Sequence, residues 1–544
     1  MNVLLVNPPF PESFWSLSQA ARAQMRRCCF PPLGLVTMAA LLPGHWRLRL
    51  VDQNARTIKE ADWRWSDLVL SGGMAAQRDG LVDLAAQARR RQVPMAAGGP
   101  SAHYFTGQLL DAGCTYVVRG EGEAVVPRLL QALDQGHGGG LIESAQRPDL
   151  AESPLPRFDL LRLGDYTTMS VQTSRGCPHR CDFCDVTNLF GRRQRIKPAP
   201  QVIGELEALF NLGWRGPVFI CDDNFTANRS RTLELLQLLN QWMIERGKPF
   251  SYGTQASVEL GSDQELIDEM TQAQFVNVVV GVETPDPEVL AACNKRQNLR
   301  HPVLEALVNL RDNGLSVIGT FIIGFDGEKP GAGGRIVDFV NRTSVPLVQL
   351  GVLNAPLGTP LYQRLEDQGR IIPETRSSDA FYGETNFIPQ RPYQEIADEF
   401  VEAWRRLYDR KAFIERCEAF YLAMRPTRQA LALSQGRQPP PEVIPAKMPL
   451  STKARNLVSI LHFLWWYTVR TRPAARRRLV KAIWRIKKRN PSRLTSFVNA
   501  LFMAESMFMH RRRLLRAAAR GELKGPRPDQ APQRHSPGPA TPTG

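Results

Sequence analysis

The chain alternates strand-length apolar runs with helix-length amphipathic stretches, and it does so in two successive blocks. This alternation limits the fold more than any other feature. A strand that is apolar throughout must be covered on both faces, and intervening helices do that in parallel α/β sheets. In the first block, residues 2–7, 47–51, 68–71, 94–97 and 116–118 read as five strands, with helical patterns such as 33–42 and 81–91 between them. They predict a doubly wound, Rossmann-like α/β domain over 1–145, whose ligand would lie beyond the carboxyl ends of the strands. Small or polar residues mark those ends: Asn7, Asn54, Ser71, the pair Gly98-Gly99, and Gly120-Glu121-Gly122-Glu123. Such residues let a large flat ligand approach the backbone. Plain turn chemistry explains any one of them taken singly.

A turn-rich linker, 146–165, precedes the second block. There, residues 168–173, 217–221, 250–254, 277–282, 316–323 and 346–350 read as strands, and 200–212, 232–246, 262–272, 302–313 and 335–341 as helices. Six strands, each returning through a helix, predict a parallel sheet curled into a partial (β/α)6 barrel over 166–370, with its chemistry at the carboxyl ends. Beyond it the periodicity becomes helical over 371–437, clearest at 393–433 with a break at Pro426. A proline-rich joint at 438–441 separates basic amphipathic helices over 451–520, and 521–544 has the composition of a disordered tail.

The sharpest motif follows the first barrel strand: Cys177, Cys181 and Cys184, at spacing C-x3-C-x2-C. Three thiolates in eight residues can reach three irons of one cubane [4Fe–4S] cluster, leaving the fourth iron open to bind a ligand. The competing readings are free thiols and a zinc knuckle. Zinc wants a fourth ligand, and His179 is poorly placed to supply it because its neighbours already ligate.

This motif, at the end of the first strand of a six-unit barrel, resembles that of the radical SAM superfamily. The resemblance implies that the open iron chelates S-adenosyl-L-methionine (SAM) and that an electron from the cluster cleaves it to a 5′-deoxyadenosyl radical. A flavodoxin- or ferredoxin-like electron donor is implied with it. Carried over residue by residue, Asp222, Asp223 and Asn224 would bind the SAM amino group, Gln255 and Ser257 its ribose or carboxylate. Glu283 would be a ligand contact or a solvent-facing cap. The stretch 319–325, with Gly324, and the aromatic Phe183 would hold the adenine. Arg175 reads equally as a partner of a carboxylate near the cluster and as a surface residue. The preceding domain resembles the cobalamin-binding domain of the B12-dependent branch, and the helical region the C-terminal extension of hopanoid C2-methylase-type proteins. No D-x-H-x-x-G motif supplies a histidine to cobalt, so its lower face would meet some other group or none; Asn54 and Gln53 are weak candidates.

Charge and cysteine content narrow the rest. Nine cysteines in 544 residues do not form a secreted disulfide framework, and the N-terminus lacks the basic region of a signal peptide. No run of eighteen apolar residues suggests a transmembrane helix. Residues 451–520 hold 18 Lys or Arg against the single acid Glu505, so the net charge of +16 is concentrated there. Over 476–489, Leu479, Ile483 and Ile486 share a helical face with Val480 and Trp484 beside them, and 462–467 adds aromatics. This pattern suits a helix at an anionic membrane surface; a helix packed on the barrel is the next reading, and a nucleic-acid arm the last. A cytoplasmic protein, peripheral on the membrane face, is expected.

A cobalamin beside such a cluster suits methylation of an unactivated carbon in a hydrophobic or lipid substrate. That chemistry needs no general base, and no nucleophile–base pair stands out in the sequence. An oxidative cyclase of pigment metabolism with the same cofactors and a non-catalytic cofactor sensor tethered to membrane are the alternatives. Methylthiolation needs a second cluster, for which Cys28, Cys29 and Cys114 are too few and badly spaced.

Overall fold

The computed structural model describes residues 1–136, 138–372 and 383–437, then 457–525 apart from 459–460, 464, 468, 470 and 524. The joint at 438–441 and nearly all of the tail at 521–544 lie outside the described residues.

Six strands form the first sheet: β1 (Asn2–Asn7), β2 (Arg47–Asp52), β3 (Leu68–Gly72), β4 (Met95–Gly98), β5 (Tyr116–Arg119) and β6 (Gly140–Glu143). All pairs are parallel, in the order β2-β1-β3-β4-β5-β6. Val3 to Val6 are wholly buried because helices cover both faces of the central strand. The doubly wound expectation holds, with the flavodoxin-type order rather than the Rossmann one, and the switch point falls between β1 and β3. The sixth strand is not among the five that the sequence marks. It is a four-residue edge strand with alternating exposure and a glycine-rich approach, so it lacks the apolar run that marks the others.

The second sheet comprises β7 (Met169–Val171), β10 (Pro217–Ile220), β11 (Ser251–Ala256), β12 (Phe275–Glu283), β13 (Ser316–Ile323) and β14 (Leu347–Val352). They run parallel in the order β14-β13-β12-β11-β10-β7, an open six-stranded barrel as expected. Between β7 and β10 a short antiparallel pair, β8 (Ser174–Arg175) and β9 (Arg195–Ile196), closes the base of the loop that carries the three cysteines.

The open edge at β14 is sealed by the C-terminal helices. Trp404 Nε1 donates to the Leu350 carbonyl at 3.2 Å, and the Tyr408 hydroxyl accepts from Val348 N at 2.8 Å. An exposed edge of that kind otherwise invites pairing with another chain. The long helix expected over 393–433 is broken at Asp409 as well as near Pro426. Asp409 caps the helix Arg410–Ala423 by accepting from Lys411 N and Ala412 N.

The basic segment is not an appendage. In the helix Pro473–Arg489, Leu479, Ala482 and Ile486 are buried and the helix packs on Arg410–Ala423, while Val480 and Trp484 face outward at 66% and 61% exposure. The last helix, Leu494–Ala519, returns to residues 14–23, where Ala20 N donates to Ser506 Oγ at 3.1 Å. One apolar core runs from the barrel through these helices to Phe14 and Leu17. No helix among the described residues is long and apolar enough to cross a membrane.

Candidate cluster site and its surroundings

The loop after β8 turns at Gly176, whose φ of +93° and approach to the Gly191 and Arg193 carbonyls (2.8 and 2.9 Å from an added Cβ) admit only glycine. Cys177 N donates to Gly191 O, Cys184 N to Cys181 O and Asp182 N to Cys293 O, at 3.1–3.3 Å. These bonds hold the three thiols on one short, partly exposed loop. Among the described residues no three Cys, His, Asp or Glu side chains converge as ligands of a single ion. A cubane takes one thiolate at each of three iron corners.

Two residues that the sequence did not single out complete this site. Lys295 Nζ lies 2.5 Å from Glu283 Oε1, and Gln297 Nε2 donates to Cys181 Sγ at 3.4 Å. Burial raises the Cys177 thiol and pushes that of Cys184 up to about 12, while the Lys295 ammonium pulls both back. Burial opposes the charge on Lys295 itself, but Glu283 and the Cys181 thiolate outweigh it and hold the amine well above its ordinary range. A buried cation and an amide donor beside thiolates suit an anionic iron–sulfur group. No pattern in the sequence marks Lys295 or Gln297; the fold brings them back twelve and more residues after β12.

The structure sorts the other site residues. Asp222 does not face a ligand: it is buried and accepts bonds from the backbone N and hydroxyl of both Thr173 and Ser174, bracing the start of the cysteine loop. Asp223 accepts from Gly176 N at 3.1 Å, and burial pushes its carboxyl up to about 6. Asn224 is buried, its Oδ1 accepting from Ser257 N at 3.2 Å and its Nδ2 without a protein partner. Ser257 Oγ donates to Glu259 at 3.0 Å, and Gln255 is exposed on β11. Glu283 is only 5% exposed and sits at φ +64°, so the reading of a solvent-facing cap is wrong. The backbone there is strained and the register with β13 shifts, features that gather at functional sites. Phe183 packs edge-on to Phe325 at 5.6 Å beside a cavity of about 230 Å3 that also meets Leu353 and Val289. Gly324, at φ +96°, directly follows β13 and its N donates to Glu328 at 2.8 Å.

The cobalamin candidates fare less well. Asn7 bonds Asp52 and Gln77, Asn54 bonds Phe10 N, Pro8 O and Asp52, and Ser71 Oγ donates to Val6 O. These side chains are occupied in holding the switch point together. Gly99 has φ +80°, and an added Cβ would stand 3.0 Å from the Gly73 carbonyl, so Gly98-Gly99 serves backbone packing. Turn chemistry accounts for them.

The two sheets meet at their carboxyl-end loops. Arg175 bonds Glu121 at 2.7 Å and Glu123 at 2.9 Å, so the surface reading of this residue is wrong. Arg195 joins Glu121 at 2.5 Å. Tyr104, after β4, donates to Asp185, next to Cys184, at 3.0 Å. The Tyr166 hydroxyl donates to the buried Asp52 at 3.1 Å, and Arg56 pairs with Asp165 at 2.9 Å.

This arrangement is that of a radical SAM enzyme, with a doubly wound domain laid over the cluster loop. The radical SAM superfamily model matches residues 171–340, and a domain of unknown function, DUF4070, matches 359–519. The chain is 41% identical to an uncharacterised methyltransferase of Synechocystis sp. over 76% of its length and 78% of the relative's. It is 30% identical to the hopanoid C-2 methylase of Rhodopseudomonas palustris, again over 76% of this chain and 78% of the other. The fold is similar to that of the cobalamin-dependent SAM radical enzyme OxsB (TM-score 0.57, 14% identity, 97% of this chain and 82% of that one). It is similar too to the radical SAM methyltransferase TsrM of Kitasatospora setae (0.54, 18%, 68% and 76%). The chain belongs to the radical SAM superfamily, within the group of methyltransferases that these relatives represent. It is an enzyme that uses a [4Fe–4S] cluster and SAM.

Proposed function

We propose that this enzyme methylates an unactivated carbon of a hydrophobic, hopanoid-like lipid, with cobalamin as the methyl carrier in the first domain. The observation that carries the reading is the apposition of the two carboxyl-end faces through Arg175, Glu121, Glu123, Tyr104 and Asp185. A ligand at the switch point of the first sheet would thereby face one held by Cys177, Cys181 and Cys184. When bound, the cluster and SAM supply a radical and cobalamin supplies a methyl group; the protein supplies placement and exclusion of water.

In this reading the three thiolates bind iron, and Lys295 and Gln297 balance their charge. Asp223, Asn224, Gln255 and Ser257 line the carboxyl ends of β10 and β11 as candidate contacts for SAM, with Asn224 Nδ2 a buried donor in need of an acceptor. Phe183 and Phe325 flank a cavity suited to a flat base. The first domain offers cobalamin small residues and the exposed Met74 at the switch point. Shape and backbone contact would hold the macrocycle. The hopanoid-like substrate rests on the relative of known reaction and on the outward apolar residues Leu461, Trp465, Val469, Val480 and Trp484 near the basic helices, which suit contact with an anionic bilayer.

The test is anaerobic reconstitution with iron, sulfide and cobalamin, then incubation with methyl-labelled SAM and hopanoid-containing lipid. The expected result is 5′-deoxyadenosine with a labelled methyl group in the lipid. A product without added CH2 would replace methyl transfer by oxidative cyclisation, and no 5′-deoxyadenosine at all would leave only a sensor.

A further inference from the structure

A concave basin of about 520 Å3 opens beside Cys181, on the side of the cysteine loop that the first domain does not line. Four of its lining residues are Arg180, Arg192, Arg296 and Arg300, all exposed. None of these guanidinium groups has an ion-pair or hydrogen-bond partner among the described residues. The sole acid of the lining, Asp182, is already bonded to Asn294 at 2.8 Å and lies 3.7 Å from Arg364. By contrast, Arg175 and Arg195 hold Glu121, and Arg370 holds Asp326. Four unmatched cations therefore gather around a single thiol of the cysteine loop.

We propose that this basin is the docking surface for a small acidic electron-transfer protein that reduces the cluster. The proposal rests on the reading of Cys177, Cys181 and Cys184 as cluster ligands. Unpaired arginines cost little while solvated and steer an oppositely charged partner by long-range attraction. Electron-transfer encounters use small, weak, charge-guided interfaces, which a shallow basin with four guanidinium groups fits better than a deep apolar groove would. The position matters as much as the charge: Cys181 itself lines the basin, so a carrier seated there would lie against one of the residues that would hold the cluster. In the step, one electron leaves the reduced flavin of the carrier, giving its semiquinone, and enters the oxidised cluster; no bond is made or broken.

The experiment uses the reconstituted holoenzyme and reduced flavodoxin as the probe, with dithionite as a small-molecule comparison. Flavodoxin binding is followed by fluorescence titration, and cluster reduction by loss of visible absorbance. In the wild type, binding and flavodoxin-driven reduction should both weaken about tenfold as salt is raised from about 0.05 to 0.5 M. The double variant R192E/R300E should lose flavodoxin binding and reduction by at least about tenfold, with reduction by dithionite unchanged, and R192K/R300K should behave as wild type. Equal flavodoxin binding by R192E/R300E and wild type overturns the proposal. So does a basin that captures single-stranded RNA or anionic vesicles while flavodoxin binds elsewhere. If dithionite reduces no cluster in any form, the reading of the cysteines has failed instead, and the docking proposal falls with it.

Discussion

Arg175 donates through Nη1 and Nη2 to the two carboxylate oxygens of Glu123 at 2.9 Å each, across the boundary between the two sheets. Arg175 stands two residues before Cys177 and Glu123 lies in the first turn of the helix after β5, so one bidentate pair ties the first domain to the cysteine loop. Side-chain exposures of 11% and 4% make this a buried pair, and removing one partner leaves the other uncompensated. R175M, which strands Glu123 and leaves Glu121 to Arg195 alone, should cost about 3–5 kcal/mol and E123Q less. Denaturant titration measures the loss, and limited proteolysis should show earlier cutting in the linker 146–165 of R175M.

The same pair gives the enzyme an acid limb. Burial alone would raise the Glu123 carboxyl, but the Arg175 donors and charge hold it down to about 2, against an ordinary 4.5. Between those values the native state binds fewer protons than the unfolded chain, so stability rises with pH there. The contribution is fully present above about 4.5 and is lost as pH falls through about 2; its ceiling is on the order of 3 kcal/mol. Urea midpoints of wild type and E123Q should therefore differ most near neutrality and converge as the solution is acidified. A gap that stays constant with pH would show that Glu123 acts by shape and not by charge.

Replacing any one of Cys177, Cys181 and Cys184 by alanine should abolish the brown absorbance of the reconstituted protein and the formation of 5′-deoxyadenosine. Far-ultraviolet circular dichroism should be retained, because the loop thiols are only half-buried and belong to no core cluster. C221A is the control. Its thiol, just past the end of β10, is not on the loop, so cluster content should match wild type.

Lys295 and Glu283 test the electrostatics of the site. Lys295 Nζ has 2.5 Å contact with Glu283, and the two side chains are 12% and 7% exposed. K295M should destabilise by about 3–5 kcal/mol by stranding the carboxylate, and the double variant K295M/E283Q should recover most of that loss. Thermal denaturation of the four forms measures the coupling. If the double variant is no better than K295M, the lysine supports the loop by packing instead of charge.

The sequence made both sheets legible because their strands are buried on two faces and appear as unbroken apolar runs, Val3 to Val6 being the plainest. It made the cysteine loop legible because ligand spacing is local. Strand β6 was missed since an edge strand of four residues has no such run, and the break at Asp409 since a single capping carboxylate interrupts an amphipathic pattern without altering its phase. Asp222, Asn7 and Asn54 each bond protein groups that the sequence does not reveal, for one physical reason. A polar residue at a strand end looks the same in sequence whether it faces a ligand or satisfies neighbouring polar groups; here Thr173 and Ser174 claim Asp222, Asp52 and Gln77 claim Asn7, and Pro8 claims Asn54. Lys295, Gln297 and Tyr104 reach the cysteine loop only through tertiary structure, which periodicity does not encode.

The helix Pro473–Arg489 separates stability from surface attachment within a few residues. Ile486 is wholly buried against Arg410–Ala423, so I486A should cost about 2–5 kcal/mol through lost burial and the cavity left behind. Trp484, two positions earlier, is 61% exposed and makes its cation–π contact with Lys488 of its own helix at 5.3 Å, so W484S should change stability by no more than about 0.5 kcal/mol. Surface attachment should respond the other way. If the outward face meets an anionic bilayer, W484S should reduce cosedimentation with phosphatidylglycerol vesicles several-fold at unchanged fold, because a large interfacial aromatic is lost while every basic residue is kept. Neutral vesicles should bind both forms weakly, since the attraction of the basic helices needs anionic lipid. Equal sedimentation of wild type and W484S with anionic vesicles would assign this helix to packing alone, with its arginines serving Glu415 and Glu418.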